Sequence, residues 1–384
     1  MRDLVIGLVR PFSRLLSCNA RKERGAVAVI VAIVLGAGVL TGMAALVIDV
    51  GQIYQNRAEL QNGADAAALA IAKSCASGNC QPAIALNYAD DNASQLTGGD
   101  AGIQLVCGSG SLGQCPAPTG NIDDCPGPPA SGAQYVDVHT RTRTPSGTLL
   151  PPVFGRTLLG SGYDGKTVRA CAQASWGPPI SSDTIAFTIS ACSWYVYTGN
   201  GMNFAQPPPY PPNTPPVSTD DHILFEHGSG GSQETGCPPF QPSGQDAPGN
   251  FGWTNDAQGN CTTFISSSGT YTGSTGASAS GDCQTMISNA YTNKTVVYLP
   301  VYSSITGTGS NVTYTLLGFA AFVITGYHIT GSFRADDWLN SADNCKGNDF
   351  CIDGYFTHGL IPASALPGGP GGTNLGATVI ALTG

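Results

Sequence analysis

Residues 26–48, AVAVIVAIVLGAGVLTGMAALVI, form an uncharged apolar run, and beyond it the pattern changes instead of stopping. Downstream, Val50, Ile53, Arg57, Leu60, Ala64, Ala67 and Ile71 recur every three or four residues, which traces one face of an α-helix. Gln52, Gln55, Asn56, Glu59 and Asn62 fill the opposite side. No proline interrupts the segment, and Gly51 and Gly63 are its weak points. The pattern predicts a continuous helix whose first part suits lipid and whose second part is a stem lying on a sheet. The small side chains of ADAAALAIA, residues 64–72, allow that sheet to approach closely. At about 1.5 Å per residue the apolar run covers about 34 Å, enough for a hydrocarbon core of about 30 Å. A cleaved secretory leader is the competing reading, but its apolar region is usually about 7–15 residues.

After the stem the period shortens. YVDVHTRTRT, residues 135–144, alternates, with Val136, Val138, Thr140 and Thr142 on one face and His139, Arg141 and Arg143 on the other. KTVRACAQASW, residues 166–176, reads as another strand, and a short helix is expected after Pro152. From residue 180, DTIAFTISACSWYVYTG, YLPVYSSI and VTYTLLGFAAFVITGYHIT are runs rich in β-branched and aromatic residues. The last reads as two buried strands kinked at Gly318, its threonines, tyrosines and histidine being too polar for a second membrane span. PPPYPPNTPP, residues 207–216, reads as a spacer, and the Gly/Ser/Thr-rich stretch 228–282 as long loops.

Charge sharpens this division. The first 25 residues carry +4, whereas the whole chain of 384 residues carries −9, so everything after the apolar run sums to −13. An acidic body argues against nucleic-acid binding, which needs clustered positive charge. Arg21, Lys22 and Arg24 abut the run and orient it with the N-terminus in the cytoplasm. Cys18 falls on the cytoplasmic side. The other cysteines, Cys75, Cys80, Cys107, Cys115, Cys125, Cys171, Cys192, Cys237, Cys261, Cys283, Cys345 and Cys351, fall beyond it. Their even number and the lack of any CxxC spacing point to disulfides in an oxidising compartment rather than to a metal site. Cys75–Cys80 and Cys345–Cys351 are close enough in sequence to close small loops. The fold class expected is α+β: a long N-terminal transmembrane and stem helix followed by a β-rich, disulfide-containing ectodomain. The segments are 1–25 (basic stub), 26–48 (transmembrane), 49–179 (stem and a pilin-like α+β unit) and 180–384 (a second β-rich unit).

Arg24-Gly25, the apolar span, then Asp49, Tyr54, Arg57, Leu60-Gln61, Asp65 and the alanine-rich run through Leu69 resemble the N-terminal module of TadE/TadG-like proteins of Flp-type (tight adherence) pilus assembly systems. The resemblance implies a membrane-anchored structural or assembly component without catalysis, whose partners are membrane lipid and pilus assembly proteins or pilin subunits. Two positions depart from the family pattern. Ile30 stands five residues after Gly25, where processed pseudopilins carry Glu, and the DxSxS metal motif of many TadG proteins has no counterpart beyond the opening of DTIAFTIS. The resemblance is therefore to a TadG-related protein without a von Willebrand A-type domain.

Catalytic chemistry finds little purchase. HILFEH, residues 222–227, spaces its histidines five apart, whereas helical zinc motifs space them four apart on one face. There is no GxSxG elbow and no phosphate loop with its lysine. Asp336-Asp337 reads as a solvated turn, and CKGNDFCIDG, residues 345–354, lacks the ligand spacing of a calcium loop. The expectation is no enzyme, no cofactor, no metal and no small-molecule substrate. An anchored surface adhesin or binding module is the alternative, again single-pass with an extracytoplasmic C-terminal domain.

Overall fold

The computed structural model describes residues 24–36, 39–93, 100–121, 124–129, 132–145, 147–149, 152–154, 162, 164–210, 215–226, 251–255, 260–266, 269–274, 279–307, 311–341, 345, 349–361 and 370–383. Cys18, Arg21, Lys22, His227, Cys237 and more than half of the predicted 228–282 loop region lie outside the described residues.

Five α-helices are described: α1 (Arg24–Gly36), α2 (Val39–Ala76), α3 (Ala85–Asn92), α4 (Ala191–Tyr197) and α5 (Gly281–Asn293). The predicted continuous rod is thus seen as two helices, with residues 37 and 38 outside the description. Among the described residues no helix is long and apolar enough to cross a membrane. The single spanning helix expected over 26–48 is therefore not confirmed: α1 holds 13 residues, and α2 combines the rest of the apolar run with a polar stem. What α1 and the start of α2 do show is extensive apolar surface, although Ala45 is buried. Val27, Val29, Ile30, Ile33, Leu35, Met43, Leu46, Val47 and Ile48 are all exposed.

The strands are β1 (Asp100–Gly108), β2 (Gln134–Arg143), β3 (Arg169–Gly177), β4 (Ser181–Ile185), β5 (Phe187–Ser190), β6 (His222–Phe225), β7 (Phe251–Thr254) and β8 (Thr262–Ser266). They continue with β9 (Thr270–Ser274), β10 (Val296–Thr306), β11 (Val312–His328), β12 (Arg334–Ala335), β13 (Cys351–Thr357), β14 (Gly359–Ile361), β15 (Thr373–Leu375) and β16 (Ala377–Leu382). One sheet has the order β1-β2-β3-β16-β14. A second runs β10-β5-β7-β9-β11-β13-β6, and an additional β10–β11 pairing joins its first and fifth strands. Strands β10, β5, β7, β9 and β11 therefore form a closed circuit, which leaves none of the five with a row of unpaired backbone groups along its whole length.

The predicted break at Gly318 does not occur. β11 is one strand of 17 residues that changes partners along its length. Its first residues pair with β9 up to Thr315↔Thr270, and from Ala321 it pairs with β13. Gly318 marks the change, because a side chain there would press on Leu375 and the Thr373 carbonyl of β15. The apolar run DTIAFTISACSWYVYTG is also only partly strand. After β5 it turns into α4, where the Ser190 hydroxyl accepts a hydrogen bond from Ser193 N–H and caps the helix.

The chain divides into two compact units. The first holds Met1–Gly63, Asp90–Gly102 and Thr140–Ala170; the second holds Ala64–Ala89, Ile103–His139 and Cys171–Gly384. The core of the second is built by Phe187, Ile189, Phe251, Trp253, Leu299, Val301, Phe322 and Phe356 with Ile287 and Ala290 of α5. Disulfides Cys75–Cys80, Cys107–Cys115, Cys125–Cys171, Cys261–Cys283 and Cys345–Cys351 lie in this unit. Cys192 is also disulfide-bonded.

Candidate functional site

The first unit holds the upper stem. The Asp49 carboxylate accepts hydrogen bonds from the backbone N–H groups of Val153 (2.9 Å) and Phe154 (3.1 Å), fastening a loop about a hundred residues away to the helix. One helical face then sinks into protein. Asn56, Leu60, Gly63, Ala64, Ala67, Ala68, Ile71 and Ala72 are buried, whereas Tyr54 is 70% exposed and Leu69 37%. Leu60 donates nothing polar from its side chain, yet its carbonyl accepts the Thr140 hydroxyl at 3.0 Å, a bond from β2 directly to the helix backbone. Arg57, Gln61 and Asp65 are half-buried along the same helix. Asn56 corrects the sequence reading, which set it on the polar side. It falls four residues before Leu60 and so shares the inward face. Arg143 of β2 lies 3.9 Å from Asp90 of α3 and 3.7 Å from Asp100 of β1, an exposed pairing worth little by itself.

Residues 25–73 carry a TadE/G-like module. They match the family described as "Putative Flp pilus-assembly TadE/G-like". The module takes in the exposed apolar helices, the Asp49 clasp and the buried alanine face, and it ends just before the Cys75–Cys80 bridge. Neither a curated protein nor a solved structure matches the chain significantly. Asp49 makes a long-range contact through its own side chain, so its substitution is informative. Asp49→Ala should leave the two loop amides without an acceptor and cost about 1 kcal/mol, as loss of a helix-cap carboxylate does. Hydrogen exchange at Val153 and Phe154 should accelerate, and unchanged exchange would show that the clasp does not order the loop.

Outside the TadE/G-like module, the second unit contains two clusters of ionisable groups that the sequence did not reveal. Asp221, Asp337 and Asp353 come together beside Thr325, whose hydroxyl donates to Asp221 Oδ1 at 2.7 Å. Asp337 is only 4% exposed, contrary to the solvated turn predicted, because its Oδ1 accepts from Leu339 N–H at 2.7 Å and folds inward. Burial and the neighbouring Asp337 carboxyl push the Asp221 carboxyl up to about 9. Glu226, accepting from the Trp253 indole at 2.6 Å, is raised by burial to about 7.

The folded chain thus holds the Asp221 proton up to about pH 9, whereas an unfolded chain releases it near about pH 4. Stability tied to this group is complete below the lower value and is lost as pH rises toward the upper one. Asp221→Asn, uncharged throughout, should show a smaller fall in urea midpoint than wild type between about pH 5 and 9. Parallel falls in both proteins would remove Asp221 from the account.

The second cluster surrounds His139 on β2. The ligand atoms of Cys125, His139 and Cys171 lie within 4.8 Å of one another, and so do those of Cys107, Asp137 and His139. His139 Nε2 is buried with no hydrogen-bond partner among the described residues. Asp137 is committed on one side, its Oδ1 accepting from Gln173 Nε2 at 2.9 Å. His222 of the HILFEH segment stacks on Tyr197 with centroids 4.4 Å apart.

Proposed function

We propose that this protein is a membrane-anchored structural or assembly component of a Flp-type pilus system, acting through protein–protein contacts and without catalysis. The observation that carries this reading is the TadE/G-like match at residues 25–73, whose first part, α1 and the start of α2, exposes a long series of large apolar side chains. A helix that exposes this many large apolar side chains calls for a hydrocarbon solvent. The anchor runs over 26–48 with its N-terminus cytoplasmic, and the acidic, disulfide-bonded remainder lies outside the cytoplasm. The stem supports the anchor's junction with that ectodomain through Asp49 and Leu60.

Affinity purification of the full-length protein from detergent-solubilised membranes tests the assignment. Co-recovery of pilus-assembly proteins or pilin subunits is the expected result; recovery of surface glycans alone would favour an anchored binding module. That second reading draws on a groove of about 770 Å³ in the second unit, lined by Met202, Phe204, Tyr298 and His358 among others.

A further inference from the structure

The His139 cluster supports a metal site separate from the anchoring role. Two cysteine pairs, Cys107–Cys115 and Cys125–Cys171, deliver three sulfurs to one imidazole from three different stretches of chain. We propose that in the thiol form, before the Cys125–Cys171 bridge closes or after it is reopened, Cys125, Cys171 and His139 bind Zn(II). Exchange with an external protein disulfide, which takes up the two electrons and leaves as a dithiol, closes the bridge and releases the ion, so that disulfide and metal site are alternative uses of the same atoms.

The chemistry of the donor set favours zinc. Two thiolates and an imidazole are the borderline-soft ligands that Zn(II) takes in tetrahedral sites, with the remaining position left to water. Zn–S bonds of about 2.3 Å and Zn–N bonds of about 2.0 Å place ligand atoms roughly 3.5 Å apart around one ion. The three atoms already lie within 4.8 Å of one another, so the site needs only the separation of the two sulfurs that follows S–S cleavage. The Cys107, Asp137 and His139 set competes for the same imidazole, but it requires a different bridge to open and a carboxyl already engaged by Gln173. His139 Nε2 is buried and makes no hydrogen bond to any described residue, so a nitrogen of the ring is uncommitted in the bridged form.

The test uses the full-length protein in detergent. A phosphine reductant attacks the bridge: the S–S bond breaks, the phosphorus takes oxygen from water to become the phosphine oxide, and that water's two protons yield two thiols. Zn(II) then binds with release of both thiol protons. Reduced protein incubated with Zn(II) should shield Cys125 and Cys171 from alkylation, as mapped by mass spectrometry, while the thiols of Cys75, Cys80, Cys345 and Cys351 are modified.

His139→Ala should lose that shielding and weaken Zn(II) binding roughly tenfold or more, while His328→Ala should leave it unchanged. Co(II) in place of Zn(II) should give a thiolate charge-transfer band in wild type. Shielding at other cysteines, none at all, equal binding by the oxidised protein, or a folded His139→Ala that binds as wild type does would each overturn the proposal. The shielding map on wild type decides the matter even where the variant fails to fold.

Discussion

Replacing Ile33 and Met43 with arginine is expected to shift the protein from the membrane pellet to the alkaline-wash supernatant. Both side chains lie in the apolar run and are exposed, at 61% and 63%. Each arginine near the middle of a membrane helix costs about 2.5–3.5 kcal/mol of insertion free energy. Together they outweigh what the remaining apolar residues can hold in place. Tyr54→Arg is the control. It is equally exposed but lies past the end of the run, where charge is tolerated, so the wild-type distribution should persist. If the double variant resists the wash as wild type does, the apolar surface of α1 and early α2 is covered by protein and not by lipid.

The second large effect belongs to the ectodomain core. Phe322→Ala should lower unfolding free energy by about 3–5 kcal/mol, the usual cost of emptying a packed aromatic site. Phe322 is fully buried on β11, its ring edge-on to Phe356 of β13 with centroids 5.1 Å apart. Two residues away on the same strand, Gly354 leaves room for that ring, since a side chain at 354 would collide with both Phe322 and the Val323 carbonyl. Urea unfolding followed by tryptophan fluorescence measures the loss. A shift below about 1 kcal/mol would mean the site collapses around the missing ring.

The sequence disclosed local periodicities well and distant meetings poorly. The inward face Leu60, Ala64, Ala67 and Ile71 was readable from spacing, as was the alternation of Val136, Val138, Thr140 and Thr142, all four buried. Asn56 was misplaced because a polar residue at an inward position is invisible to an apolar count. α4 was missed because Trp194, Tyr195 and Val196 favour strands in isolation, and the Ser190 cap with tertiary packing overrides them. α5 was missed inside a loop-like composition, although Ser280 caps it too, accepting from Cys283 N–H.

Nothing local could reveal the clusters around Asp221 and His139. Their members come from strands and loops far apart in the chain, and cysteine partners cannot be inferred from spacing. The TadE/G-like module was legible because it is confined to about fifty consecutive residues.

The circuit of strands has a bearing on how the protein matures. Its one parallel seam joins Ile189 to Val301, so the ring shuts only when more than a hundred intervening residues have been gathered in. Loops of that size close slowly, and rates fall as contacts become less local. Cys261–Cys283 lies within that interval and shortens the stretch that must be searched. A newly made chain therefore gains from acquiring this crosslink early, and an oxidation defect should accumulate forms whose circuit of strands stays unlatched.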